Sequence, residues 1–257
     1  MLRTLFDLSG RVALISGGSR GLGLQIAEAL GEFGASLALV ARREEELAAA
    51  VAHLAGQSIR AIPIAADLAD PAAAETITAQ ALALAGRIDI LVNNAGAAWG
   101  APAESHPLDA WRKVIDLNLT GTFLLTQAVG RAAMLPAGKG RILNIASIEA
   151  MRGRPPGMPG TIAYATSKGG MISFTRSLAA EWGPRGITVN ALAPGFFPSR
   201  MTHGTLARFG PELAARTPLG KLGGPHDLKG AALLFASDAG GHITGQVLAV
   251  DGGATAL

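Results

Sequence analysis

Seven apolar runs alternate with helical patterns along the 257 residues, and this alternation limits the possible folds more than any other feature. Strands are predicted at 11–16, 36–41, 59–67, 88–96, 140–147, 186–195 and 245–253. Helices are predicted at 23–34, 44–55, 71–86, from 107 or 108 to 134, 163–182 and 225–237. Apolar strands separated by helices indicate a parallel sheet covered on both faces. The predicted fold class is therefore α/β, a doubly wound (Rossmann) fold of about seven parallel strands.

No change in composition marks a linker, so residues 1–257 are predicted to form a single dinucleotide-binding catalytic domain. Two segments rich in proline and glycine, 152–160 and 194–198, follow the fifth and sixth strands. Ligands bind at the carboxyl ends of such strands. We therefore expect substrate loops near 149–162 and 195–216.

Composition excludes several classes of protein. The chain has no cysteine, which excludes disulfides and thiolate metal sites and fits the reducing conditions of a cytoplasmic location. No apolar run is long enough for a membrane span or a signal peptide, so no membrane partner is expected. The net charge of +3 comes from scattered residues, which gives no nucleic-acid surface. The five histidines show no ligand spacing, so no metal is predicted.

A glycine-rich turn follows the first strand in the sequence SGGSRGLG. Glycines allow a tight turn and let a pyrophosphate approach the helix N-terminus, where free N–H groups favour anions. The alternative is an ordinary glycine-rich turn. The residues predicted to bind a dinucleotide here are Gly17, Ser19, Arg20, Gly21, Leu22 and Gly23.

The end of the second strand indicates which dinucleotide is bound. An NAD site has an acidic residue there, whereas this chain has Arg42 and Arg43, with Arg20 nearby in the glycine-rich turn. Guanidinium groups without a local carboxylate suit a 2′-phosphate, so NADP(H) is the predicted cofactor. The alternative is that these are solvated charges. The acidic run 44–46 is the other candidate for the missing acid, but three acidic residues at a helix start are better explained by the helix dipole.

Two further segments adjoin the predicted dinucleotide. Asp67 and Leu68 follow the third strand, where Asp67 is predicted to bond the adenine amine or, alternatively, to act as an N-cap or turn residue. The sequence NNAG ends the fourth strand and contributes Asn94, Ala95 and Gly96. A structural turn is the alternative for NNAG.

The only tyrosine of the chain, Tyr164, lies four residues before Lys168, so both share one face of a helix. A phenol has a pKa of about 10, and a nearby ammonium is expected to lower that pKa toward neutrality. Tyr164 would then exchange protons. Ser147 ends the fifth strand and is positioned to orient a substrate carbonyl. A packed tyrosine beside a solvated lysine is the alternative.

The ordered motifs GGSRGLG, NNAG, DLNLTG, NIAS, YATSK and APG identify the chain as similar to the short-chain dehydrogenase/reductase family, from Gly10 to about Gly253. The resemblance implies that Ser147 polarises the carbonyl and that Tyr164 donates or accepts the proton. It implies that Lys168 also holds the nicotinamide ribose. Asn118 would bind a water in a proton relay, whereas the sequence alone favours a kink or cap residue there.

The resemblance also covers the segment after the sixth strand, with Pro194, Gly195, Phe197 and Ser199 near the nicotinamide carboxamide. The family commonly has threonine where this chain has Ser199. The residues Arg20 and Arg42 match its NADP-preferring pattern.

The segment between the motif serine and tyrosine is about four residues longer than is usual in the family, with the additional residues expected in 152–160. The predicted substrate residues are Trp99, Glu149, Met151, Arg152, Arg154, Phe196, Met201 and His203. Arg152 or Arg154 would bind a carboxylate or phosphate. The alternative for both is an exposed loop charge.

Both ends of the chain look most like gluconate 5-dehydrogenase-type members and are also similar to 3-oxoacyl-carrier-protein reductases. The predicted partner is a small-molecule carbonyl or alcohol, such as a keto-sugar acid, with a 3-oxoacyl thioester or bulky ketone as the alternative. A non-catalytic NADPH-binding regulatory module is an alternative of another class. Small residues along 163–182 permit close helix packing, and family members are commonly dimers or tetramers, so a homotetramer (or dimer) is expected.

Overall fold

All seven predicted strands form one parallel sheet in the computed structural model, which describes residues 2–154 and 157–257. The strands are β1 Val12–Ser16, β2 Ser36–Ala41, β3 Ala61–Ala65, β4 Ile90–Asn93, β5 Gly140–Ile145, β6 Ile187–Pro194 and β7 Val247–Val250. Their order is β3-β2-β1-β4-β5-β6-β7, and every neighbouring pair is parallel. This confirms the α/β doubly wound prediction.

Helices cover both faces of the sheet because each crossover between parallel strands must return across a face. The helices of the chain are α1 Leu2–Leu5, α2 Gly21–Glu32, α3 Glu44–Ala55, α4 Ala73–Ala85, α5 Leu108–Ile115, α6 Thr122–Val129, α7 Leu135–Ala137, α8 Ile162–Trp182, α9 His203–Ala215 and α10 Lys229–Ala236. Within the described part of the chain, none of them combines the length and apolarity needed to cross a membrane.

Several predicted boundaries were wrong. The predicted helix ending at 134 continues to Ala137 and contains two π-helical segments, Asp116–Gly121 and Gly130–Met134. Each contains a glycine on which a distant residue packs closely. Leu68 packs on Gly121 in the first segment, and Trp182 packs on Gly130 in the second. These contacts join distant parts of the sequence, so periodicity could not reveal the π segments.

Two other elements also differ from the predictions. The third strand spans only 61–65 and contains Pro63, which is tolerated because β3 is an edge strand. The last predicted helix begins at Lys229 instead of 225.

The candidate site lies where the chain reverses direction across the sheet. β1 pairs with β2 on one side and with β4 on the other, so the helices after β1 and β4 diverge. Ser16, the last residue of β1, is in register with Asn93 of β4. A crevice at the carboxyl ends of the strands is expected at such a switch point.

Candidate active site

The glycine-rich turn is a tightly packed cradle between β1 and α2. Gly17 and Gly21 have φ values of +65° and +55°, which favour glycine. A Cβ added at Gly23 would lie 2.1 Å from the Gly17 carbonyl oxygen. The backbone therefore lies closely against itself, and the first N–H groups of α2 lack partners within the helix. This arrangement fits a pyrophosphate.

Side chains from β1 and β4 hold this cradle in place. The Asn94 amide donates to the carbonyl oxygens of Ser16 and Gly17 at 3.1 and 2.9 Å. The Ser16 hydroxyl accepts from the backbone N–H groups of Asn94 and Ala95 at 3.0 and 3.1 Å. The Asn94 side chain therefore has the role named by the alternative for NNAG: it holds a structural turn. Sequence reasoning missed Ser16, whose position before the first glycine was the available signal.

A carboxylate lies among the arginines that the sequence suggested were free of one. Glu46 Oε1 lies 2.9 Å from Arg20, 3.3 Å from Arg43 and 3.5 Å from Arg200. The expectation of no local carboxylate was therefore wrong. The expectation failed because folding brings the first turn of α3 beside the glycine-rich turn. Glu46 therefore pairs with the arginines and also lies at the N-terminal end of the helix dipole.

The segment after β3 forms a turn that uses Asp67 internally. Its Oδ1 accepts from the Ala69 N–H at 3.1 Å, and its Oδ2 lies 3.8 Å from Arg42. The turn alternative for Asp67 therefore describes this geometry. The Leu68 side chain is buried in the core, where it packs beside Gly121.

Ser147, Tyr164 and Lys168 come together at the carboxyl end of β5. The Ser147 and Tyr164 hydroxyls lie side by side, close enough for Ser147 to act on the pKa of the tyrosine. The Lys168 ammonium is buried, donates to the Ile145 carbonyl oxygen at 2.6 Å and lies 5.6 Å from the centre of the Tyr164 ring. Thus the strand end supplies the serine, and one helix face supplies the tyrosine and the lysine.

The expected effect of Lys168 on Tyr164 was wrong. Burial raises the pKa of Tyr164 to about 12, the neighbouring Ser147 hydroxyl lowers that pKa by less, and Glu149 and Arg154 act in opposite directions. Burial also lowers the pKa of Lys168 to about 8. Desolvation outweighs charge stabilisation because the ammonium is directed at the Ile145 carbonyl. Tyr164 is therefore protonated at neutral pH.

The buried lysine predicts a pH-dependent stability. Between the folded pKa of about 8 and the unfolded value of 10.5, the unfolded chain binds more protons at Lys168 than the folded chain. The free energy of unfolding should therefore rise with pH in this window, by roughly 1 to 3 kcal/mol. Urea unfolding between pH 7.5 and 10 would measure this rise in the wild type and in Lys168→Met, which should lose it. Parallel profiles for both proteins would contradict the prediction.

Asn118 lies in the first π-helical segment and connects three parts of the site. Its Oδ1 accepts from the Ala97 N–H at 2.8 Å, and its amide donates to the Ala97 carbonyl and the Ser167 hydroxyl, both at 2.9 Å. Ser167 in turn donates to the Tyr164 carbonyl at 2.7 Å. A Cβ added at Gly96 would lie 3.3 Å from Asn118 Oδ1 and 3.7 Å from Lys168 Nζ, so both polar groups adjoin one backbone position. Sequence reasoning missed Ser167.

The segment after β6 returns to the glycine-rich turn. Pro194 ends β6, and Gly195 packs against Asp251. The Phe197 ring is buried beside Gly223. Ser199 lies beside Gly21, with 3.9 Å between its Cβ and a Cβ added at that glycine.

Sequence reasoning missed Thr202 in the same segment. Its hydroxyl donates to the Phe197 carbonyl at 2.6 Å and accepts from the Ser199 N–H at 2.9 Å. Thr202 thereby fixes the turn that brings Ser199 to the glycine-rich turn.

The loop after β5 is closed by an internal ion pair. Glu149 accepts from Arg154 at 2.7 Å and from the Thr161 hydroxyl at 2.6 Å. Arg154 also donates to the Pro159 carbonyl at 2.8 Å. Arg154 is therefore neither an exposed charge nor a free anion-binding group. The prolines at 155 and 156, part of the predicted substrate loop, lie outside the described residues.

Arg152 lines a cavity of about 720 Å³ beside this loop. It donates to the Ala254 carbonyl oxygen, and no acidic side chain among the described residues pairs with it. The cavity lining also includes Ile148, Arg154 and Phe196, but neither Ser147 nor Tyr164. It adjoins the Ser147–Tyr164 pair through the Ser147–Ile148 peptide.

Three partly exposed apolar side chains, called the apolar rim below, follow strands whose carboxyl ends form the site. Trp99, Met151 and Met201 are 45–49 % exposed and follow β4, β5 and β6 respectively. The segments after β4 and β5 are joined by a hydrogen bond from the Ala101 N–H to the Gly160 carbonyl at 3.0 Å. His203 begins α9. Throughout residues 2–154 and 157–257, no three His, Asp or Glu side chains are grouped to hold a metal ion.

A doubly wound sheet with a glycine cradle at its switch point, and with a serine, a tyrosine and a lysine grouped at β5, defines a dinucleotide-dependent oxidoreductase. A family model described as enoyl-(acyl carrier protein) reductase matches residues 17–255. The chain belongs to the short-chain dehydrogenase/reductase family.

The relatives differ in their reactions. The chain is 38 % identical to gluconate 5-dehydrogenase of Gluconobacter oxydans, over 98 % of this chain and 97 % of the relative. It is 38 % identical to 3-oxoacyl-[acyl-carrier-protein] reductase of a Synechocystis species, over 96 % and 97 %. A crystal structure of a gluconate 5-dehydrogenase from Burkholderia cenocepacia, in complex with NADP and tartrate, has a TM-score of 0.94 and 37 % identity, with 100 % of both chains covered.

Proposed function

We propose that the protein interconverts a carbonyl group and a secondary alcohol with NADP(H) as cofactor. The observation that carries this proposal is the adjacent Ser147–Tyr164 pair, with Lys168 one helical turn further on, at the carboxyl end of β5. The cofactor assignment rests on the glycine cradle, on the arginines beside it, and on the NADP bound by the Burkholderia relative.

Each polar group of the site has a distinct role in this proposal. When bound, NADPH supplies the hydride that reduces the carbonyl carbon. Tyr164, which is protonated at neutral pH, donates its proton to the carbonyl oxygen, and its phenolate accepts a proton in the oxidative direction. The Ser147 hydroxyl orients that oxygen and stabilises the charge on it. Lys168 binds the nicotinamide ribose.

Proton return to Tyr164 is proposed to involve Asn118 and Lys168. Both groups adjoin Gly96, and Asn118 reaches the Tyr164 helix turn through Ser167. A water beside Asn118 would connect the lysine with solvent. The residues proposed to bind the cofactor are those predicted in the glycine-rich turn and after β2, β3, β4 and β6.

The proposed substrate is a keto-sugar acid such as 5-keto-gluconate. The two gluconate 5-dehydrogenase relatives support this choice. Arg152 supports it as well, because its guanidinium has no acidic partner in the described structure and lines the cavity beside Ser147. The exposed Trp99, Met151 and Met201, together with the Synechocystis relative, favour a 3-oxoacyl thioester or bulky ketone as the second candidate.

The experiment is an assay of NADPH oxidation against 5-keto-gluconate, an acetoacetyl thioester and an apolar diketone. Turnover of 5-keto-gluconate alone is expected, and Arg152→Gln should raise its KM about tenfold. Turnover of the thioester or diketone alone would overturn the sugar-acid assignment and move the substrate to the apolar rim. NADPH binding without any turnover would favour a regulatory module.

We also propose that the protein assembles as a homotetramer (or dimer) in the cytoplasm, which its lack of cysteine allows. Phe123 of α6 is 46 % exposed and stacks edge-on against Phe174 of α8, with ring centres 6.5 Å apart. A Cβ added at Gly169 of α8 would meet nothing within 4 Å, which leaves room for a partner helix. A monomer mass by light scattering would contradict the assembly.

A further inference from the structure

A single carboxylate oxygen lies among three arginines at the end of the crevice where the 2′-phosphate is proposed to bind. These arginines come from three separate segments: Arg20 from the glycine-rich turn, Arg43 from the end of β2, and Arg200 from the segment between β6 and α9. All three reach the same atom, Glu46 Oε1, at 2.9 to 3.5 Å. A phosphate is recognised by this same kind of guanidinium cluster.

The carboxylate is the least exposed member of this cluster. The Glu46 side chain is 26 % exposed, whereas the arginine side chains are 49 to 64 % exposed. Glu46 therefore lies inside a ring of cations whose outer sides face solvent. A phosphate that approaches from solvent reaches the arginines first, and the negative charge of Glu46 lies behind them.

We propose that Glu46 is an internal anion that competes with the cofactor's 2′-phosphate and so sets the preference between NADPH and NADH. This inference rests on the proposed cofactor. With a 2′-phosphate bound, the phosphate replaces Glu46 as the counter-ion of Arg20, Arg43 and Arg200. With a 2′-hydroxyl in its place, the three arginines keep Glu46 as their shared counter-ion.

The same contact connects the cofactor end of the crevice with the substrate entrance. Arg200 lies between Ser199, beside the glycine-rich turn, and Met201, on the apolar rim. Arg200 is thus a further ligand for the 2′-phosphate, contributed by the segment that follows β6.

Two adenosine ligands isolate this effect from catalysis. Adenosine 2′,5′-bisphosphate and 5′-AMP differ only in the 2′-phosphate, so the ratio of their dissociation constants reports the arginine cluster. Calorimetric titration of the wild type gives the reference ratio. Glu46→Gln should bind the bisphosphate about three- to tenfold more tightly, with 5′-AMP changed by less than about twofold. The gain should shrink in high salt.

The matched controls are neighbouring or equivalent charges outside the cluster. Glu45→Gln removes an exposed carboxylate from the same helical turn and should leave the ratio unchanged. Arg200→Gln should weaken bisphosphate binding about three- to tenfold, whereas Arg176→Gln, at an exposed position of α8, should not.

An unchanged ratio in Glu46→Gln, equal changes for both ligands, or weaker bisphosphate binding would overturn the inference. A weaker bisphosphate would mean that Glu46 positions the arginines instead of competing with the phosphate. The proposed NADP(H) preference is tested separately by the wild-type ratio. If the wild type fails to favour the bisphosphate but Glu46→Gln favours it, the cofactor proposal fails and the competition is supported.

Discussion

Replacing Tyr164 with phenylalanine is expected to reduce kcat about 10²- to 10⁴-fold, the usual contribution of a positioned proton donor. The change removes only the hydroxyl that lies beside Ser147. The ring remains in the first turn of α8, beside the Lys168 ammonium. NADPH binding should therefore change by less than about threefold, because the glycine cradle and the arginines are untouched.

Single-turnover and steady-state measurements with a reducible carbonyl would give the rate, and calorimetry would give the dissociation constant of NADPH. Thr166→Val is the matched control, because it removes an exposed hydroxyl from the same helix. A Tyr164→Phe variant that keeps more than about a tenth of wild-type turnover would show that another group donates the proton.

The second large effect is expected at Gly23. An alanine Cβ there would lie 2.1 Å from the Gly17 carbonyl oxygen and 2.5 Å from the Asn94 amide nitrogen. One of these atoms is backbone, and the other belongs to the amide that holds the glycine-rich turn. Gly23→Ala must therefore open the cradle, and NADPH should bind at least about tenfold more weakly, with stability lowered by about 1 to 3 kcal/mol.

Gly230→Ala is the control for this substitution, since a Cβ added there in α10 meets nothing within 4 Å. It should bind NADPH like the wild type. Thermal melts would separate misfolding from loss of binding. Gly21→Ala provides a second variant, in which the backbone is strained by the φ of +55° and not by a close contact. NADPH affinity within about twofold of wild type in Gly23→Ala would contradict the proposed cradle.

The order of strands and helices could be predicted because burial on both faces leaves a direct mark on sequence. β1, β2 and β6 are almost wholly buried, and all three are rich in apolar residues. Edge strands leave a weaker mark, and β3 was accordingly predicted to be longer than it is.

Residue types at strand ends could likewise be predicted. Gly17 comes directly after β1, Gly21 begins α2, and Ser147 follows the end of β5, so their location follows from the elements beside them. Tyr164 and Lys168 were assigned to one helix face from their spacing of four residues, and both lie in α8. These relations are all local in the chain, and local geometry is fixed by local sequence.

Contacts between distant segments could not be predicted from the sequence. These contacts determine the electrostatics of the site. Glu46 meets Arg200 across 154 residues, and Lys168 meets the Ile145 carbonyl across 23. The sequence by itself determined which groups stand at the carboxyl edge of the sheet. Only the tertiary structure decided which of them are desolvated or already paired, because burial and counter-ions depend on segments brought together by folding. For that reason the pKa of Tyr164 rises where the sequence alone suggested that it would fall.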